Sequence, residues 1–351
     1  MHIREARPED NHELIELQAK CPQGTELIVS VVNTPDFFAR AKAYESYKVY
    51  VACEDNRIIG SAACAMRESA VNAIPCRVGY EFQYFTSPDH RGRGVARALH
   101  QHIEDYLTTR DVALAYLLIM EGNLPPRRLF EREGFRLHRT LVMPILSVYK
   151  EMDIQSGGRI RPVMWEDLAA VARLLNHTWQ GHDLHETTSR EALARFINRT
   201  PAYSLTNVIV LEDGGQISAC LGFWDWSHIA RITVKSLSFK MRVIGMLVDT
   251  IRNFRPMPRV PKAGTTLKQW CLTPIGFRDA ERLTPLFRYM NNRAMELGVE
   301  QVFCLCERKH PLLMGMRGLF RRDVAMHLYV KPLQQNVSMG QNPIFVDGID
   351  L

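Results

Sequence analysis

Short apolar runs alternate with longer segments of helical spacing in the first part of the chain. Residues 78–85 have the composition of a strand, and residues 96–107 carry apolar side chains three and four positions apart, which is typical of a helix packed on one face. A further strand-like run covers residues 113–120. This order predicts an α/β fold in which a helix connects two strands.

The pattern also repeats along the chain. Ile-Arg at 3–4 and Glu-Asp at 9–10 recur with the same spacing at 160–161 and 166–167, and each copy opens a strand followed by a helix. A hairpin-like segment follows in both copies, and a Ser-Gly-Gly linker separates them. The end of the chain alternates in a way that suits a short added strand. The predicted organisation is a first domain at 1–152, a similar second domain at 159–333 and a tail at 334–351.

The composition is that of a soluble globular protein. The 351 residues are 46% hydrophobic and 23% charged, and no apolar run approaches the roughly 20 residues that span a bilayer. The chain starts with polar residues, unlike a secretory signal. The 8 cysteines form no CxxC pair, so we expect reduced core thiols, no metal site and a cytoplasmic location. The net charge of +6 is dispersed, which disfavours a nucleic-acid partner.

The segment between the strand at 78–85 and the helix at 96–107 is rich in glycine and arginine. It contains Arg91-x-x-Gly94-x-Ala96. The start of a helix leaves backbone N–H groups unpaired and carries partial positive charge, and glycine lacks the Cβ that would block an anion. The turn is therefore suited to hold a pyrophosphate, and an ordinary strand-to-helix turn is the alternative.

A second motif lies downstream. Residues 123–135 read Asn-x-x-Pro-x-x-Leu-Phe-x-x-x-Gly-Phe. In this order, the two motifs resemble the acyl-CoA-binding signature and the following Asn-led signature of the GNAT superfamily of N-acetyltransferases. The resemblance implies two tandem GNAT-like domains, each a mixed, mostly antiparallel sheet flanked by helices with a splayed pair of parallel strands. In overall plan the chain is also weakly similar to Hookless-type acetyltransferase-like proteins.

The resemblance implies acetyl-CoA as the co-substrate, held between the two splayed strands without a metal. Its pantetheine arm and pyrophosphate are expected along the first strand and over the glycine turn. The turn's three arginines are candidates for phosphate contacts, with a solvated helix face as the alternative role. Asn123 is expected to bond the amide arm or to order its own turn. The implied cofactor-binding residues are Phe85, Thr86, Arg91, Gly92, Arg93, Gly94, Val95, Ala96, Arg97, Asn123 and Phe130.

The implied reaction is direct attack of a neutral amine on the thioester, which needs a base and, ideally, an acid for the departing thiolate. Glu81 is the first candidate for the base and Glu121 the second, while Tyr84 is a candidate acid or hydrogen-bond donor. A structural ion pair with an arginine is the alternative for Glu81. Phe130 stands where relatives usually carry a tyrosine that serves as the acid, so another donor or a slow reaction is expected. The histidines suggest no catalytic cluster.

The second half lacks both signatures. Residues 273–280 stand in place of the glycine turn and include Asp279, which would repel an anion, although a helix at 282–297 and a strand at 301–306 are expected to follow. We therefore expect one acyl-CoA site per chain. The segment 223–268, with its basic helical stretch, is expected to pack over the second domain, and docking on a membrane surface is the alternative.

Two functions remain open from the sequence. The first is an acyl-CoA-dependent N-acyltransferase that acts on a small-molecule or peptide amine, as a monomer or homodimer, with the second domain walling the acceptor cleft. Because no cysteine stands near the signature in sequence, transfer is expected without an acyl-enzyme intermediate. The alternative is a regulatory protein that binds acetyl-CoA without turnover, which phenylalanine at position 130 permits.

Overall fold

The computed structural model describes residues 1–335 and 337–351. Helices and strands alternate in it much as the hydrophobic pattern predicts. The strands of the first half are β1 (His2–Glu5), β2 (Leu27–Asn33), β3 (Ser46–Glu54), β4 (Arg57–Val71), β5 (Ile74–Thr86), β6 (Leu114–Met120) and β7 (Arg136–Ser147). Those of the second half are β8 (Arg159–Pro162), β9 (Val208–Asp213), β10 (Gln216–Gly222), β11 (Trp224–Asp225), β12 (Ala230–Leu237), β13 (Thr266–Leu267), β14 (Gln269–Cys271), β15 (Ile275–Phe277), β16 (Gln301–Phe303) and β17 (Phe320–Pro332). The helices are α1 (Asn11–Ala19), α2 (Val95–Thr108), α3 (Leu124–Arg132), α4 (Leu168–Thr178), α5 (Arg190–Arg199), α6 (Phe239–Ile251) and α7 (Leu283–Glu296).

A ten-stranded sheet runs in the order β1-β3-β4-β5-β6-β17-β7-β16-β14-β11. Its neighbours are antiparallel except for β5 with β6 and β14 with β16, which are parallel. A parallel pair needs a crossover connection, and α2 supplies it in the first half and α7 in the second. This is the mixed, mostly antiparallel α/β fold with helices and parallel strand pairs that the resemblance implied.

The two halves of the chain share this sheet. β17, which belongs to the second half, lies between β6 and β7 and pairs with both, and β7 pairs in turn with β16. The segment between 152 and 159 separates β7 from β8 along the chain, but the strands on its two sides interleave in space. The domain boundaries at 1–152 and 159–333 therefore stay sequence-based predictions.

The internal repeat is present in the side chains. Arg4 forms a bidentate pair with Asp10, with N–O distances of 2.7 and 2.9 Å. Arg161 forms the same pair with Asp167, at 2.5 and 3.0 Å. Each pair fastens the first strand of its half to the short 3-10 turn that leads into the first helix. The recurring Ile-Arg and Glu-Asp dipeptides thus perform the same local task twice.

The two faces of the first half's sheet have separate cores. α2 buries Val95, Leu99, Ile103 and Leu107 against one face, at the helical spacing that the sequence shows. Each such side chain contributes about 2 kcal/mol when it is fully buried. The opposite face packs against α1, the turn at Phe37 and the end of the tail. The site described below lies where β5 and β6 stop pairing, between these two cores.

Two segments differ from the sequence-based expectations. The segment 223–268 does not pack over the second half alone, because its strand β12 pairs along its length with β2 of the first half. The tail does not add a strand within its described residues. It forms an isolated bridge between Asp183 and Ile344 and a 3-10 turn at Gly348–Asp350, which the Asp347 side chain caps. The Asp347 cap favours a turn there, and it outweighs the short alternation of apolar residues that predicted a strand.

Candidate active site

β5 and β6 run side by side for only part of their length. Residues 78–80 pair with residues 114–116, and the two strands then diverge. A bulge follows in β5, where Gln83 has a left-handed φ of +54° and the register against β4 shifts. A non-glycine residue adopts this conformation at a cost, and such strain is common at functional sites. The result is a V-shaped opening between the ends of β5 and β6, hereafter the V.

The glycine turn follows β5 and begins α2. Gly92 and Gly94 have left-handed φ values of +76° and +81°, and no described atom lies within 4 Å of the position that a Cβ would take on either residue. Gly94 is the N-cap of α2 and offers no side chain to its first N–H groups. These N–H groups and the helix dipole therefore favour an anion in the open space beside the turn.

The three arginines of the turn differ in their partners. Arg93 lies 3.2 Å from Glu54, and Arg97 lies 3.0 Å from Glu133. Arg91 is exposed and makes no ion pair with a carboxylate of residues 1–335 or 337–351. A guanidinium without a carboxylate partner can bind phosphate without first breaking an ion pair. Of the three, Arg91 is therefore the most available for a phosphate.

The remaining predicted cofactor residues differ in their exposure to solvent. Thr86 and Ala96 are partly exposed, and Asn123 is the exposed N-cap of α3, with no capping bond from its side chain. The buried ones are Phe85, Val95 and Phe130. The Phe130 ring packs edge-on against Tyr84 and His100, with centroid distances of 5.0 and 5.7 Å. Phe130 therefore supports the site from inside the core.

Glu81 is buried on the face of β5 that α2 covers. The Tyr84 hydroxyl donates to its Oε2, and the Nδ1 of His100 lies 3.0 Å from the same oxygen. The bulge at Gln83 places Glu81 and Tyr84 on the same face. Oε1 of Glu81 is buried without a hydrogen-bond partner among the described residues. An unsatisfied buried oxygen costs about 1–3 kcal/mol, so a native structure that keeps one has a reason for it.

His100 connects Glu81 to the protein surface. Burial by itself would lower the pKa of His100, but the hydrogen bond to Glu81 and the charges of Glu81 and Glu104 raise it above its usual value. The Nε2 of His100 lies 3.2 Å from Glu104, which also contacts Lys331 at 2.6 Å. Because Glu104 is partly exposed, a line of ionisable groups leads from Glu81 to solvent. His100 is not among the residues that the sequence motifs indicate, although its place beside Leu99 on the apolar face of α2 signals an inward side chain.

Glu121 stands apart from this group. It is exposed directly after β6, where its backbone N–H donates to the Ala325 carbonyl at 2.9 Å. Its side chain makes no hydrogen bond within the described residues. The structure brings Glu81 and Tyr84 together and does not bring Glu121 to them.

The tail carries a second polar cluster to the opposite face of the V. Asp350 is buried and accepts hydrogen bonds from the hydroxyls of Tyr44 and Tyr116, at 2.8 and 2.9 Å, and Arg67 lies 3.1 Å away. The Tyr80 hydroxyl donates to the Asp350 carbonyl. Burial raises the pKa of the Asp350 carboxyl. Since Tyr80 and Tyr116 are the last paired residues of β5 and β6, this Asp350 cluster lies where the strands part.

A cavity of about 470 Å³ adjoins the Asp350 cluster. Tyr44 and Arg67 line one side of it, and α4, α5 and the tail line the other, so both halves contribute walls. Glu186 lies at the exposed rim of the cavity, where partial burial raises its pKa against the opposing charges of Arg67 and Arg199, and its carboxylate has no ion pair within the described residues. Both ring nitrogens of His185 are buried without partners there, and burial lowers the pKa of His185 to about 4. The cavity thus offers an unpaired acid and a neutral imidazole.

Cys21 also reaches the V, although 65 residues separate it from Thr86. Its Sγ–H donates to the Thr86 carbonyl at 3.3 Å. Burial raises the pKa of this thiol, and nearby Arg91 only partly opposes the shift. At neutral pH the sulfur is therefore a protonated thiol, which is a poor nucleophile.

Two parallel strands that diverge into a V, with a glycine turn at the start of the helix that connects them, are the arrangement of the GNAT fold. The comparison with family models agrees, because residues 11–135 match the model described as the acetyltransferase (GNAT) family. The first half of the chain therefore contains a GNAT-family domain, and the resemblance predicted from the two motifs is confirmed. The family match ends before the second half.

Solved structures share the fold over nearly the whole chain. N-myristoyltransferase of Saccharomyces cerevisiae with bound myristoyl-CoA is 12% identical, with a TM-score of 0.65 over 99% of this chain and 83% of that one. A GCN5-related N-acetyltransferase from Anabaena variabilis is 11% identical, with a TM-score of 0.55 over 95% and 73%. A probable N-acyltransferase from Enterococcus faecalis is 10% identical, with a TM-score of 0.51 over 95% and 72%. At these identities the likeness concerns the fold.

No curated protein matches the sequence. Among the described residues, no helix has both the length and the apolar character needed to cross a bilayer. The same residues contain no group of three or more His, Cys, Asp or Glu side chains arranged to hold a metal ion.

Proposed function

We propose that this protein is an N-acyltransferase that transfers an acyl group from acyl-CoA to an amine at the V. The observation that carries the proposal is the glycine turn, with two left-handed glycines and open space beside the first N–H groups of α2. Acetyl-CoA is the first co-substrate to test, as the resemblance implies. Myristoyl-CoA is the second, because the yeast N-myristoyltransferase of similar fold was solved with it bound.

In this proposal the cofactor-binding residues act in three ways. The backbone of Phe85 and Thr86 holds the pantetheine arm, and the turn at 91–97 holds the pyrophosphate, with Arg91 as its main cationic partner. Asn123 bonds the amide arm from the start of α3, where its side chain has no capping bond. Val95 and Phe130 are buried and anchor α2 and α3, respectively, in the core on this face of the sheet.

Glu81 is our proposed base. Its position next to Tyr80 puts it where β5 leaves β6, and its Oε1 has no partner in the described residues. His100 lies 3.0 Å from Glu81 and 3.2 Å from Glu104, so a proton taken up by Glu81 can reach Glu104 and then solvent through His100 once its Nε2, which makes no hydrogen bond within the described residues, aligns with Glu104. Tyr84 donates to Glu81 and orients it. Glu121 stays the second candidate, because it stands exposed at the other arm of the V.

The acceptor amine is proposed to enter through the cavity between the two halves. An ammonium group is attracted to Glu186, whose charge no ion pair in the described residues neutralises. The cavity walls also include Trp179 and Phe345, whose rings lie 4.7 Å apart and suit an apolar body beside the amine. The second half would thus set the choice of acceptor.

Calorimetric titration tests the proposed co-substrate site. Acetyl-CoA and, separately, myristoyl-CoA are titrated into the wild type, Gly94→Glu and Gly298→Glu. Gly298 is the matched control, because it also has a left-handed φ, of +69°, with no described atom within 4 Å of a Cβ. One site per chain that only Gly94→Glu loses is the expected result. Absence of binding to the wild type, or equal loss in both variants, would contradict the proposal.

A regulatory protein that binds acyl-CoA without turnover is the second candidate. Phe130 favours it, because a phenylalanine cannot protonate the leaving thiolate and the nearby Tyr84 hydroxyl is already bonded to Glu81. An assay for release of free CoA thiol from acyl-CoA, in the presence of small amines and peptides, distinguishes the two candidate functions. Thiol release with one class of amine supports transfer, while tight binding with no release for every class supports regulation.

A further inference from the structure

The helix α6 and the turn after it display bulky apolar side chains to solvent. The exposed fractions are 75% for Phe239, 63% for Met246, 60% for Leu247 and 86% for Phe254. No residue of α6 is buried. At 3.6 residues per turn, Phe239, Met246 and Leu247 lie on one side of the helix. These four residues, hereafter the α6 surface, form an apolar patch of the kind that marks an interaction site.

The surroundings of the α6 surface are strongly basic. The basic residues of 235–262 are Lys235, Lys240, Arg242, Arg252, Arg255, Arg259 and Lys262. Asp249 is the acidic residue of this segment, and its carboxylate forms ion pairs with Lys262 at 3.2 Å and with Arg252 at 3.8 Å. The segment therefore combines exposed apolar side chains with a large excess of positive charge, which is the pattern of helices that lie in an anionic lipid interface.

The α6 surface adjoins the open end of the V. The backbone N–H of Ser238 donates to the Glu26 carbonyl at 2.8 Å, and Lys240 pairs with the Glu26 side chain at 3.4 Å. The neighbouring Thr25 lies 3.5 Å from the position that a Cβ on Gly122 would take. Gly122 follows β6 at the V. The loop that carries Thr25 and Glu26 thus connects α6 to the edge of the site.

We propose that the α6 surface docks the protein on an anionic lipid membrane. The apolar side chains enter the boundary between headgroups and acyl chains, and the surrounding lysines and arginines bind the anionic headgroups. A second copy of this chain fits less well, because the like charges around the surface would repel each other. A nucleic acid fits less well too, because its phosphates would pair with the lysines and arginines but would leave the exposed phenyl rings and the Met246 and Leu247 side chains in water. Docking in this way brings the open end of the V to the lipid surface.

Vesicle co-sedimentation of the full chain, without acyl-CoA, tests the docking. The wild type is expected to bind vesicles of phosphatidylcholine with phosphatidylserine and to bind phosphatidylcholine alone much more weakly, with binding that falls as salt rises. The double variant Met246→Glu with Leu247→Glu is expected to bind anionic vesicles more than about tenfold more weakly, because it places charge in the apolar layer. Ile74→Glu is the matched control, since Ile74 is 66% exposed on the β4–β5 hairpin outside the surface.

Replacing Arg255 by Gln is expected to weaken binding about fivefold, as the loss of one basic residue near an anionic surface predicts. No binding of the wild type to anionic vesicles, or unchanged binding by the double variant, overturns the proposal. A wild-type dimer that the double variant dissociates overturns it as well and assigns the surface to a second copy. Because acyl-CoA is absent, failure here is independent of failure of the proposed acyl transfer.

Discussion

The Tyr44 hydroxyl donates a hydrogen bond of 2.8 Å to the carboxylate of Asp350, across 306 residues of sequence. This bond joins the tail to the sheet at the point where β5 and β6 separate. Arg67 supplies the opposing charge, and Tyr116 supplies a second hydroxyl. The tail is therefore part of the wall of the V.

The Asp350 cluster is expected to contribute strongly to stability. Replacing Asp350 by Ala leaves the Arg67 guanidinium without its partner, which should lower the free energy of unfolding by about 3–5 kcal/mol. Tyr44→Phe removes one hydrogen bond to a charged group and should cost about 2 kcal/mol. Urea unfolding measures both values. Tyr149→Phe, whose hydroxyl has no bond in the described residues, is the control, and losses no larger than its own would contradict this account.

The pair of His100 and Glu81 is expected to make stability depend on pH. Because folding raises the pKa of His100, the stabilisation from its charged form is fully present below its unfolded pKa of about 6.5 and is lost as pH rises through the higher folded pKa. The difference in free energy of unfolding between the wild type and His100→Gln should therefore shrink from mildly acidic to alkaline pH.

Urea unfolding of both proteins over a pH series measures this difference. His12→Gln, on the exposed side of α1, is the control and should differ from the wild type by less than about 0.5 kcal/mol. A difference for His100→Gln that grows with pH is the opposite sign and would refute the charged pair.

Glu186 is expected to bind the acceptor amine. Replacing it by Gln removes the negative charge in the cavity and should raise KM for a cationic amine about tenfold, with little change in kcat, because the charge acts on binding and not on the thioester. Glu191→Gln, on the exposed start of α5, is the control. Steady-state kinetics with a cationic amine measure both variants, and equal KM values would remove Glu186 from the acceptor site.

Cys21 is expected not to carry the acyl group. Its thiol has a raised pKa and donates to the Thr86 carbonyl, so Cys21→Ser should keep activity within about threefold of the wild type. Mass spectrometry of protein quenched with acyl-CoA should find no acyl group on Cys21. Cys76→Ser is the control for loss of a thiol elsewhere. An acyl adduct on Cys21, together with an inactive serine variant, would establish a covalent mechanism instead.

The glycine turn was predictable because its signal is local. A left-handed φ at Gly92 and Gly94 and the start of α2 depend on consecutive residues, so a short motif carries them. The recurring Arg4 and Arg161 ion pairs were also encoded within short spans, since each arginine meets an aspartate of its own segment. The parallel strand pairs follow from the alternation of strands and helices together with the resemblance.

The sequence by itself thus determined most of the elements, the internal repeat and the glycine turn, because neighbouring residues suffice for each. Only the tertiary structure decided what surrounds the V. The bulge at Gln83 brought Tyr84 to Glu81, and the packing of α2 brought His100 to the same oxygen. The tail's Asp350 and the insertion of β17 between β6 and β7 depend on contacts between opposite ends of the chain. Hydrophobic periodicity records which side of an element is buried and does not record which distant element covers it.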